Sequence, residues 1–156
     1  MKVFKFGGAS VNSVDRISKL GDILKKYSGE KILVVISAMG KTTNALENVA
    51  LAYYQGKKEE ALKLFDNVKE QHLTIAKQLL ANCQPCENRL RDFFTEAEWL
   101  LYDKPQRDYD YYYDQVVCTG ELLSTTIISF YLTEIGVDNN WFDVREIGRA
   151  SCRERV

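Results

Sequence analysis

The stretch Lys31-Ile32-Leu33-Val34-Val35-Ile36-Ser37 decides the fold class. Its five central residues are apolar without alternation, which is how a strand buried on both faces reads. Upstream, Val14, Ile17, Leu20, Ile23 and Leu24 recur at helical spacing and predict a helix over 14–27. Asn12 or Ser13 can cap its start, and Ser28-Gly29 stops it. Before that helix, Lys2 to Phe6 is a short β-rich run closed by Gly7-Gly8. Strand, helix and strand within so short a span make a βαβ unit, hence a parallel sheet with helices on its faces. Downstream, helical patterns cover 43–55, 58–80 and 87–101, and a long one covers 114–135, ended by Gly136. Val137 to Val144 reads as a further strand. The expected fold is therefore α/β: a mostly parallel sheet flanked by helices, with a helical insertion at about 53 to 113.

Charge and composition narrow the function. Twenty-one basic against 22 acidic side chains leave a net charge of −1, which predicts no nucleic-acid partner. The tyrosine-rich segment 102–113 sets only Lys104 and Arg107 against Asp103, Asp108 and Asp110. It reads as a half-buried loop and not a base-stacking platform, which needs cations along the phosphates. Lys2 and Lys5 interrupt the N-terminal apolar run, so it is no signal peptide. No unbroken apolar run is long enough to cross a bilayer. These features predict a cytoplasmic protein without a membrane partner. Cys83-Gln84-Pro85-Cys86 has the spacing of a zinc or redox half-site. A structural zinc normally takes four ligands, and no second pair follows, so no metal site is expected and the two thiols read as incidental.

Three constellations can carry chemistry. Lys5-Phe6-Gly7-Gly8-Ala9-Ser10 follows the first strand, where adjacent glycines let backbone N–H groups approach phosphate oxygens. Lys5 can place a positive charge on a transferring phosphoryl group. Ser37-Ala38-Met39-Gly40-Lys41-Thr42-Thr43-Asn44 follows the buried strand, at the strand end where open α/β sheets bind ligands. It is no P-loop, because Val35 stands where that motif needs its first glycine. Thr43 has the alternative of capping the next helix. In Gly120-Glu121-Leu122-Leu123-Ser124-Thr125, Glu121 interrupts an apolar helix and must be paired or functional.

Together the three segments resemble the aspartate kinases of the amino-acid kinase family, in order and in spacing, over Met1 to about Arg145. They are similar to that family's KFGG[TS]S opening, its S-A-x-x-x-x-T-N loop and its G-E-x-x-S-[TS] helix, with Ala9 in place of the commoner threonine. The resemblance implies a three-layer sandwich, here truncated, and ATP-dependent phosphorylation of the L-aspartate side-chain carboxylate to 4-phospho-L-aspartate. That is the first step toward lysine, threonine and methionine. It implies Lys5 as the catalytic cation and Lys5, Gly7, Gly8 and Ser10 as phosphate-binding residues. It implies Ser37, Thr43 and Glu121 at the substrate, with Glu121 on its α-amino group. ATP and Mg²⁺ are the implied cofactors, and the parent enzyme is expected to be a homo-oligomer. An aspartate carboxylate is already ionised at neutral pH, so the reaction needs positioning and charge stabilisation instead of a base.

The family's later R-G-G-S-D segment and its regulatory domains have no counterpart in this sequence. Residues 1–145 are therefore expected to be the N-terminal part of the kinase domain, inactive alone. Residues 146–156 lack apolar periodicity, carry Arg149, Arg153 and Arg155, and resemble an adapter read-through, a non-native tail. Two other readings remain at this point: another amino-acid kinase, and a non-catalytic binding module on the same sheet.

Overall fold

The computed structural model describes residues 1–146. The order is β1 (Lys2–Phe6), a 3-10 turn (Gly8–Ser10), α1 (Val14–Lys25), β2 (Ile32–Ile36), α2 (Thr42–Tyr54), α3 (Lys58–Leu79), α4 (Gln84–Tyr102), α5 (Tyr109–Val117) and α6 (Thr119–Glu134). The βαβ unit is present as expected. β1 and β2 pair in parallel, from Lys2 opposite Ile32 to Phe6 opposite Ile36. Of the two candidate caps for α1, Ser13 is the one used, accepting from the Arg16 amide at 3.4 Å.

The sheet is narrower than expected. Among the described residues it has two strands, and only one of its faces is covered. Phe4, Phe6, Val34 and Ile36 pack against the helical core, whereas Val3, Leu33 and Val35 are 58%, 47% and 45% exposed. An apolar run shows that both faces of a strand tolerate burial. It does not show what covers them, and here one layer of helices covers one face.

The core is built on α6. This helix is apolar nearly all round, as a fully enclosed helix must be, and buries Leu122, Leu123, Ile127, Ile128 and Leu132. It packs against α1, α2, α3, α4, α5 and β2. The helical run Tyr109–Glu134 is long and apolar enough to span a bilayer by length and composition, and 56% of its apolar window is buried inside the protein. Counting unbroken apolar runs missed it, because Glu121, Ser124 and the threonines punctuate the sequence without changing the helix's apolar character. The single helix expected over 114–135 is divided at Cys118, which joins α5 to α6 with helical backbone angles.

Two further expectations are corrected. Much of 102–113 is helix and not loop: α5 packs on α2 through ring contacts of Tyr53 with Tyr112 and Tyr54 with Tyr109. The Tyr112 hydroxyl also accepts from the amides of Gln106 and Arg107, at 2.7 and 3.2 Å, fixing the turn before it. The strand expected over 137–144 is not formed. Its side chains alternate, with Trp141 and Asp143 inward and Phe142 and Val144 each 71% exposed. No described strand lies beside it, however, and a strand exists only through ladder bonds to a neighbour. The Asn139 side chain instead ties the segment to Ser129 and Thr133 of α6. The proposed tail lies outside the described residues apart from Glu146.

Candidate active site

The parallel register brings the loops after β1 and β2 to the same sheet edge. The Ser37 amide donates to the Phe6 carbonyl at 3.0 Å, and the Gly40 amide donates to the Gly8 carbonyl at 3.0 Å. This contact leaves no room for a side chain at position 8: a Cβ there would lie 2.7 Å from the Ala38 carbonyl oxygen and 3.2 Å from that of Gly40. A Cβ at Gly7 would meet nothing within 4 Å. The two glycines thus do different work. Gly8 lets the loops touch, and Gly7 keeps an open approach to the backbone.

The third motif arrives from across the core. α6 begins against the second loop so closely that a Cβ on Gly120 would fall 3.0 Å from Ala38 Cβ, 3.1 Å from Leu46 Cδ1 and 3.2 Å from Thr42 Cγ2. Glu121 Oε1 then accepts from the Ala38 amide at 3.3 Å, so the carboxylate flagged as anomalous on an apolar helix is paired with a loop N–H. One turn on, the buried Ser124 hydroxyl lies 2.9 Å from the Ser37 carbonyl and 3.1 Å from that of Glu121. Thr125 Oγ1 donates to the Glu121 carbonyl at 2.7 Å and accepts from the Trp141 indole at 2.9 Å. Three sequence segments spread over more than a hundred residues of chain therefore meet in one hydrogen-bonded cluster.

Not every expected residue joins that cluster directly. Gly8, Ser37 and Glu121 do. Ser10 is exposed in the 3-10 turn, its amide bonded to the Gly7 carbonyl at 2.8 Å. Lys5 is exposed opposite Val35, on the uncovered sheet face, near the strand end that leads into the glycines. Thr43 is half-buried in the first turn of α2; the N-cap is Lys41, so the capping role weighed for Thr43 is not the one it plays. Ser124 and Gly120 had no individual role in the sequence reading. The motif itself was the available signal: a small residue at each of two positions on one helix face marks close approach.

The whole chain, residues 1–156, matches the profile of the amino acid kinase family. It is homologous to aspartokinases. Identity is 34% to aspartokinase 1, chloroplastic, of Arabidopsis thaliana, over 94% of this chain and 26% of that protein. Identity is 31% to lysine-sensitive aspartokinase 3 of Escherichia coli, over 97% of this chain and 32% of that protein. The crystal structure of E. coli aspartokinase III in complex with aspartate and ADP superposes with a TM-score of 0.78 at 26% identity, covering 94% of this chain and 32% of that one. The chain thus spans about a quarter to a third of the length of these relatives. On the profile match, the shared fold and the three converging motifs, the chain belongs to the amino acid kinase family.

Proposed function

We propose that residues 1–145 form the N-terminal part of an aspartate kinase domain, which transfers the γ-phosphoryl group of ATP to the side-chain carboxylate of L-aspartate. The observation that carries this reading is the joining of the glycine turn, the Ser37–Thr43 loop and Glu121 into one hydrogen-bonded cluster. The relative crystallised with aspartate and ADP shares the fold, which supports both ligands as the ones to test.

In this reading the open backbone at Gly7, with Gly8 and Ser10, receives phosphate oxygens through N–H groups. Lys5 supplies positive charge to the phosphoryl group as it moves. Ser37 and Thr43 line the space between nucleotide and acceptor. Glu121 exchanges its bond to the Ala38 amide for the aspartate ammonium group, a stronger partner because it carries a full positive charge. Among the described residues no three His, Cys, Asp or Glu side chains converge on a cation site. Mg²⁺ would enter with the ATP phosphates and add positive charge there.

The test is ATP-dependent formation of aspartyl hydroxamate by the complete enzyme that carries residues 1–145, against a panel of aspartate, glutamate and N-acetylglutamate. Turnover with aspartate alone is expected. A preference for another acceptor sinks the aspartate assignment and leaves the family intact. Lys5→Ala is expected to lower kcat by about 10²–10³, the usual scale for losing one electrostatic stabiliser. The 156-residue chain alone is expected to give no hydroxamate.

A further inference from the structure

The Cys83-Gln84-Pro85-Cys86 stretch, read from sequence as incidental, has a defined place at the start of α4. Cys83 is the N-cap with helical angles (φ −79°, ψ −17°), and Cys86 lies in the first turn beyond Pro85. Three residues along helical backbone separate two Cα atoms by about 5 Å, given the rise and radius of the helix. That falls within the roughly 4.4–6.8 Å a disulfide spans. Side chains three apart also share a helix face.

The two thiols differ in environment. Cys83 is half-buried and Cys86 fully buried. Burial pushes the Cys86 thiol up to about 12, with the Cys83 and Glu87 charges adding to the effect. Cys83 is thus the thiol that meets solution, and Cys86 the one behind it. The Cys83 thiol donates to Glu87 Oε1 at 3.5 Å. Glu87 is only 7% exposed and is held by Lys77 at 3.6 Å, so a fixed carboxylate stands beside the outer sulfur. No cation site among the described residues competes for these groups.

We propose that Cys83 and Cys86 are a thiol–disulfide couple that exchanges with low-molecular-weight disulfides of the glutathione class. The Cys83 thiolate attacks one sulfur of oxidised glutathione; the S–S bond breaks and one glutathione thiolate leaves and is protonated. The Cys86 sulfur then attacks the Cys83 sulfur, its proton passing to the departing glutathione, which forms the Cys83–Cys86 bond and releases the second glutathione as its thiol. The protein loses two electrons and two protons, and glutathione disulfide gains them as two thiols. The bond fastens the α4 N-cap to its first turn beside the α3–α4 connection. There the Ala81 amide is held by the Glu134 carboxylate at 3.0 and 3.1 Å.

The test incubates the reduced, intact protein in glutathione buffers of graded oxidation, quenches with acid and maps cysteine peptides by mass spectrometry. Wild type is expected to show a Cys83–glutathione adduct that gives way to a linked Cys83–Cys86 peptide lacking two hydrogens. Cys86→Ser is expected to stop at the adduct, and Cys83→Ser to leave Cys86 unmodified. The wild-type measurement decides whichever variants fold. A Cys83–glutathione adduct that persists at equilibrium overturns the proposal, as does a bond from Cys83 to Cys118.

Discussion

Replacing either glycine of the first turn by alanine tests the account of that turn, because the two substitutions are chemically identical and the structure predicts opposite outcomes. In both, alanine narrows the unfolded chain's conformational freedom, a stabilising contribution of about 0.4–1 kcal/mol. At Gly7 nothing lies within 4 Å of the new Cβ, and the backbone (φ −75°, ψ 168°) is extended and open to any residue. Gly7→Ala should therefore be neutral or slightly stabilising. At Gly8 the Cβ would sit 2.7 Å from the Ala38 carbonyl oxygen. That atom is backbone and cannot rotate away, so the two loops must part and the Gly40–Gly8 hydrogen bond weakens. Overpacking of this kind costs about 1–3 kcal/mol. The unfolded-state contribution cancels in the comparison, so Gly8→Ala should be less stable than Gly7→Ala by about 1–3 kcal/mol. For a chain of this size that is a Tm difference of about 2–12 °C. Urea unfolding followed by circular dichroism reads the difference directly. Equal midpoints for the two variants would refute the claim that Gly8 is there to let the loops touch.

Other outcomes follow from the same geometry. Ser124→Ala leaves the half-buried Ser37 carbonyl without its α6 donor and should cost about 0.5–1.5 kcal/mol, with faster hydrogen exchange at the neighbouring Ala38 amide. His72 is buried with Nε2 unpartnered, and burial lowers its pKa. The unfolded chain then binds the proton first, so stability should fall as pH drops below about 6.5, by up to about 1.4 kcal/mol per pH unit; His72→Phe should flatten that slope in a pH series of unfolding curves. Asp143 is held below the usual carboxylate range chiefly by its hydrogen bond with Arg145. Its contribution is present above the ordinary value of 3.8 and lost as pH falls through the lower folded value. Arg145 is partly exposed, so Asp143→Asn should cost only about 0.5–1 kcal/mol at neutral pH, with a smaller acid-side loss than wild type.

Local and periodic features were legible in the amino-acid order. Ile32–Ile36 and Lys2–Phe6 are strands because their side chains and flanking glycines fit nothing else as well, and α1 to α4 follow from apolar spacing with boundaries moved by a few residues. The three motifs were visible because each combines a residue type with a fixed offset that chemistry requires. Tertiary structure decided everything that depends on a second surface. Val137 to Val144 has the alternation of a strand and is none among the described residues, since a ladder needs a neighbour. Leu33 and Val35 have the character of buried residues and stand exposed, since burial needs a covering layer. The tyrosine segment is helical because α2 offers its rings partners. Glu121 was an anomaly on one helix until folding set it against the Ala38 amide, and Ser124 became a cross-link only because α6 packs on the loop it bonds. Spacing along the chain encodes what a residue can do, and packing between distant segments fixes which of those possibilities is realised.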